Sequence, residues 1–148
     1  MSNKVLIDSS VLIEYAKKSK TQLLNYLFED DSIKCCIGET IVSEFLFQFI
    51  KFNTNKAPVT IKSAQKIKTV FTSCSNYLLL NLFDFLPTDK QLLQLVPYFM
   101  QQYNLLPNDA IMLATCKIHG ITKLASHDVD FINPCKTEGI ELLVENIG

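Results

Sequence analysis

The stretch Val5-Leu6-Ile7, closed at once by Asp8-Ser9-Ser10, constrains the fold more than any other part of the chain. Side chains alternate between the two faces of a strand, so three consecutive apolar residues require cover on both sides. Lys4 to Ile7 therefore reads as an interior strand, and the helical spacing over Val11 to Tyr15 starts directly behind it. A second helix is expected from about Thr21 to Phe28, stopped by Glu29-Asp30-Asp31, and a second strand over the β-branched and Cys-rich run Ile33 to Ile37.

The alternation continues. Gly38 punctuates, and Thr40 is expected to cap a helix carrying Ile41, Phe45, Phe49 and Phe52. Asn53 to Pro58 reads as a loop. A single helix is expected from Val59 to about Leu80, then a strand within Asn81 to Leu86 halted by Pro87. Thr88 and Gln91 form a capping-box pattern that opens a helix ending near Tyr103, with a kink or break at Pro97. Asn108 to Ile118 reads as a helix closed by Gly120 in the left-handed conformation, and Thr122 to Ala125 and Ile140 to Val144 complete the strands. The pattern predicts an α/β fold with a central, mainly parallel sheet of about five strands and helices on both faces. With 148 residues, 48% of them hydrophobic, residues 1–148 make one domain.

A net charge of −1 excludes a protein that grips nucleic acid mainly through a broad basic surface. All 14 basic residues are lysines. Without arginine there is no bidentate clamp on phosphate, only point charges and backbone N–H groups. The five cysteines include no C-x-x-C pair, so neither a disulfide framework nor a zinc site is indicated, and a reducing cytoplasm is the expected compartment. The N-terminal apolar run, broken at Asp8, is too short for a secretory segment. Tyr77 to Leu86, interrupted by Asn81 and Asp84, is too short for a membrane span, so a soluble chain with no membrane partner is expected.

Acids stand at the junctions. Asp8 directly follows the first strand, Glu44 sits inside the most apolar helix, Asp109 lies in the first turn of its helix, and Asp128 follows the fourth strand through Ser126-His127. Each has an ordinary use. Asp8 can cap the next helix, Glu44 can face solvent, Asp109 can complement the positive end of its helix, and Asp128 can belong to a polar turn. If the turn stayed extended, Asp130 would face the same way as Asp128. Gathered together instead, these oxygen ligands suit a hard cation such as Mg²⁺ or Mn²⁺. His119 reads as a helix C-terminal residue and His127 as a neighbour of the pocket, with no Ser-His-Asp or Cys-His arrangement to support a covalent nucleophile.

The wording Val5-Leu6-Ile7-Asp8-Ser9-Ser10, Ile41-Val42-Ser43-Glu44-Phe45, Asp109-Ala110-Ile111-Met112-Leu113-Ala114 and Leu124-Ala125-Ser126-His127-Asp128-Val129-Asp130-Phe131 resembles the PIN-domain nucleases, in order and over nearly the whole chain. It is most similar to their compact VapC-type toxin members. The resemblance implies that Asp8, Glu44, Asp109 and Asp128 form the metal-binding catalytic set. Asp130 is then an auxiliary ligand or a turn residue, and Ser10 and Ser126 are hydroxyl donors that orient the acids. It also implies RNA cleavage by a metal-activated water, leaving a 5′-phosphate and a 3′-hydroxyl.

The expected partners are an RNA substrate, a second copy of the chain and an antitoxin protein. The homodimer is also suggested by Phe45, Leu46, Phe47, Phe49, Ile50 and Phe52, which surround their helix and cannot all share one core-facing stripe. Cover by the Val59 to Leu80 segment is the internal alternative. The competing function is a PIN-like domain without catalysis, serving as an RNA- or protein-binding scaffold; the presence of all four acids argues against it. An aspartyl phosphatase would want a second Asp where Ser10 stands. From lysine-only chemistry and near-neutral charge, RNA binding is expected to weaken only gently with salt, with a log–log slope equivalent to few neutralised phosphates. Titration of one RNA across a salt series measures this, and a steep slope contradicts it.

Overall fold

β1 (Lys4–Ile7) forms the middle of the sheet and is covered on both faces, with Val5, Leu6 and Ile7 at most 1% exposed. The computed structural model describes residues 3–145. After β1 come α1 (Ser9–Ala16), α2 (Gln22–Glu29), β2 (Lys34–Ile37), α3 (Glu39–Thr54), α4 (Pro58–Ser63) and α5 (Ile67–Ser73). β3 (Asp84–Phe85), α6 (Leu92–Tyr103), α7 (Pro107–His119), β4 (Lys123–Ala125), α8 (Ile132–Glu138) and β5 (Glu141–Leu143) follow. The five strands are all parallel in the order β3-β2-β1-β4-β5, which agrees with the expected fold class.

This order determines where a ligand can sit. The chain leaves β1 to build β2 and β3 on one side, then crosses over to build β4 and β5 on the other. Connections diverge above β1 and β4, leaving a crevice at their C-terminal ends where open parallel sheets bind ligands. The backbone closes the floor of that crevice: the N–H of Asp8 donates to the Ala125 carbonyl at 2.9 Å, and that of Ser126 to Leu143 at 3.2 Å. At the far edge, the Glu145 carboxylate accepts from the first N–H groups of α2, Gln22 and Leu23, at 2.8 and 3.1 Å.

Several local expectations are corrected. The single helix expected from Val59 to Leu80 is three pieces: α4, α5 and a 3₁₀ segment at Asn76–Leu82. Gln65 interrupts it in the left-handed region at φ 58°, and Cys74 is extended. Folding back in this way lets Ile61, Val70, Phe71 and Tyr77 close around Phe49 as a small second core. Gly38, not Thr40, occupies the N-cap of α3. The helix also runs beyond Asn53, because Asn53 and Thr54 bond back to the carbonyls of Phe49 and Ile50 before Asn55 ends it at φ 56°.

Thr88 does not cap α6. Its hydroxyl donates to Glu39 on α3 at 3.1 Å, and Asp89 accepts the Gln91 N–H instead. No break occurs at Pro97: α6 runs through it. Pro97 and Leu93, whose carbonyl loses its usual donor, both lie on the exposed side, while Phe99 anchors the helix at 2% exposure. α8 and the 3₁₀ turn Val129–Phe131 were not expected from the sequence; their anchors Phe131, Pro134 and Cys135 are buried. The third strand shrinks to two residues.

The phenylalanines of α3 are largely satisfied within the chain. Phe45 and Phe49 are fully buried and Phe52 packs edge-on to Phe49, leaving Phe47 exposed. The motive for placing a dimer interface on this helix is therefore reduced to Phe47. Phe49→Ala is expected to destabilise the fold by about 3–5 kcal/mol, whereas Phe47→Ala should change stability by no more than about 0.5 kcal/mol. Urea unfolding of the two variants checks the contrast.

Candidate functional site

The acids meet at the crevice above β1 and β4. Asp8 is the first residue after β1 and is only 6% exposed. It occupies the N-cap position of α1, but its side chain makes no capping bond. Its Oδ2 instead accepts hydrogen bonds from the hydroxyls of Ser10 and Ser126, both at 2.8 Å. Ser126, fully buried behind β4, also accepts the Asp128 N–H at 3.0 Å, and Ser10 accepts the His127 N–H at 3.1 Å. The two serines thus hold the side chain of Asp8 and the backbone entering Asp128 in one register.

Asp109 stands in the first turn of α7 without capping it. The segment after β4 is not extended: Asp128 accepts the Asp130 N–H at 2.9 Å and caps the 3₁₀ turn. This tight turn still brings the acids together, because Asp109, Asp128 and Asp130 each offer a carboxylate oxygen within 4.8 Å of the others. Asp130 thus belongs to the most compact group. Asp8 and Glu44 lie outside that trio, although their charges act on Asp109. Glu44 is half-buried on α3, where Ser9 donates to its Oε1 at 3.4 Å and the Asn108 side chain also donates to it.

Ser9 and Asn108 were not singled out by sequence. Their signal was adjacency, since each sits beside an acid of the set. The Nε2 of His127 is buried without a hydrogen-bond partner among the described residues, and burial lowers its pKa, favouring the neutral ring. His119 lies against the Pro87 carbonyl at 3.2 Å, away from the acids.

Burial raises the pKa of Asp8 despite the opposing bonds from Ser126, Ser10 and the Ser9 N–H. Burial also raises Glu44, with Asn108 opposing it and Asp8 adding repulsion. Asp109 is pushed up to about 6, by burial first and then by the charges of Asp128, Asp8, Glu44 and Asp130. The two ion pairs described, Glu14–Lys17 and Lys117–Glu138, involve none of these acids. Oxygen donors that repel each other and span only slightly more than the roughly 4 Å across a Mg²⁺ shell fit a small divalent cation. The ion would relieve that repulsion.

The PIN domain family model matches residues 5–136. Ribonuclease VapC2 of Methanocaldococcus jannaschii is 32% identical over 87% of this chain and 87% of its own. Ribonuclease VapC6 of the same organism is 30% identical, covering 97% of this chain and 98% of its own. In fold, the chain is similar to a toxin-antitoxin complex from Klebsiella pneumoniae with a TM-score of 0.60, at 17% identity over 96% of this chain and 98% of that one.

A raised carboxyl pKa has a definite sign in stability. Between the usual value of 3.8 and about 6, native Asp109 holds a proton that the unfolded chain has released, so stability falls as pH rises through that window. Asp109→Asn removes this cost. In EDTA the variant should melt a few degrees above the parent at pH 7, with the advantage shrinking towards pH 4. Differential scanning calorimetry across pH tests the sign.

Proposed function

Because the chain belongs to the PIN-domain family, we propose that it is a divalent-metal-dependent endoribonuclease whose metal is held by Asp8, Glu44, Asp109 and Asp128, with Asp130 as an additional ligand. The observation that carries this reading is the meeting of mutually repelling carboxylates, buried at Asp8 and half-buried at Glu44, Asp109 and Asp128, at the sheet crevice, with no basic side chain paired to them in the ion pairs described. When bound, Mg²⁺ or Mn²⁺ neutralises charge on the phosphodiester and makes water a stronger nucleophile at neutral pH.

The protein's own residues supply position. Ser10 and Ser126 prevent Asp8 from rotating out of the crevice, and Ser126 also fixes the entry to Asp128. Ser9 and Asn108 hold Glu44 inward from α3. Asp109 stays poised near its pKa, so protons compete with a cation for it below about pH 6. The helix N-terminal field at α7 favours its charged form as the pH rises.

The ribonucleases among its relatives, and the toxin-antitoxin complex with the same fold, support a role as the toxin of a paired module, with an antitoxin protein and a second copy of the chain as partners. Among the described residues no helix is long and apolar enough to cross a membrane.

The purified protein is expected to cleave RNA with Mn²⁺ and to stop in EDTA. Asp8→Asn and Asp109→Asn should each lose more than about 100-fold in kcat/KM, and Ser126→Ala about 10–100-fold. Gel-resolved cleavage with end-group analysis measures these losses and identifies the 5′-phosphate. RNA binding that survives EDTA without any cleavage in Mn²⁺ would favour the scaffold reading instead. Apparent Mn²⁺ affinity should also rise between about pH 5 and pH 7 as Asp109 ionises.

A further inference from the structure

Beside the acids, a groove of about 630 Å³ opens between the end of α6 and the start of α8, and Asp130 belongs to both. Its volume falls within the roughly 300–1,000 Å³ of small-ligand pockets. The walls carry four carboxamides, Gln101, Gln102, Asn104 and Asn133, and no lysine. Val129, between the two acids of the 3₁₀ turn, stands 73% exposed at the rim. The smaller cavity between α3 and α7, about 250 Å³, contains none of the site acids in its walls.

We propose that this groove seats an unpaired RNA base next to the scissile phosphate and reads it through the side-chain amides of Gln102 and Asn133. The inference rests on the ribonuclease reading above. A phosphate group would meet Asp130 there and no cation in the walls, so the groove disfavours the charged backbone. A nucleobase is neutral and carries donors and acceptors along one edge. Carboxamides present both kinds of group, and Asn and Gln pair with base edges for that reason.

The frame is held in place. Gln101 donates to the Pro97 carbonyl at 3.1 Å, Asn104 ends α6 in the left-handed region at φ 55°, and Tyr103 donates to Glu138, which also holds Lys117 at 2.9 Å. Exposed Val129 offers an apolar surface for the base face. A base reaches such a groove only when it is unpaired and turned away from its neighbours, which selects single-stranded segments of the substrate.

Gln102 and Asn133 are both exposed on helices, so a Gln102→Ala, Asn133→Ala double variant should fold like the parent; an unchanged melting curve verifies this. Cleavage of a randomised single-stranded RNA in Mn²⁺ is sequenced for both proteins. The parent is expected to prefer one base at a fixed position from the cut, and the double variant to cut the pool with that preference flattened about tenfold. The same preference in both proteins overturns the proposal.

A second readout needs no metal and no cleavage. In EDTA, the side-chain amide resonances of Gln102 and Asn133 should shift on adding short single-stranded homopolymeric oligoribonucleotides and stay unmoved by duplex RNA. Amides that remain unmoved while other residues shift overturn the proposal and leave the groove to a protein partner. A parent that cuts no RNA in Mn²⁺ defeats the ribonuclease reading separately, and the amide resonances then decide the base site on their own.

Discussion

The structure depends on one contact: two serine hydroxyls, from the start of α1 and the end of β4, meeting on a single oxygen of Asp8. A buried carboxylate is costly unless its charge is shared, and hydroxyl donors share it without neutralising it as a lysine would. The position of the acid is therefore fixed while its charge is matched by no cation in the ion pairs described. Since Ser126 also receives the Asp128 N–H, the same contact sets the height at which the last loop enters the crevice. Sheet order makes this possible by placing β1 against β4, although most of the chain lies between them.

The surrounding energetics favour readiness over stability. Asp8, Glu44 and Asp109 all have raised pKa values, and each owes part of this to another acid. Such repulsion destabilises the native state, and a divalent cation held among these acids would relieve it. The cost is borne by a core of fully covered strand residues and by the second small core around Phe49.

The sequence disclosed the fold where periodicity was strong and failed where contacts at a distance decide conformation. Val5-Leu6-Ile7 announced an interior strand, and Gly120 announced the end of α7, because both signals are local. The Val59 to Leu80 segment misled. Its spacing is helical, but Phe49 draws Ile61, Val70 and Tyr77 to one point, which a straight helix cannot do. Thr88 misled for a related reason: its hydroxyl finds Glu39 on another helix rather than its own turn. For the site, residue types and order indicated the acids. That Asp130 would join Asp109 and Asp128 more closely than Asp8 does depends on a 3₁₀ turn that alternation could not foresee.

The adjacency of β1 and β4 has a consequence in time. Leu6 pairs with Leu124 and Ile7 with Ala125, so the two walls of the crevice come from segments far apart in sequence. Contacts this distant in sequence close late and slowly, after the loop between them has been ordered. During synthesis, Asp8 emerges 118 residues ahead of Ser126. A partly made chain therefore lacks the residues that hold Asp8 in place and complete the crevice around it.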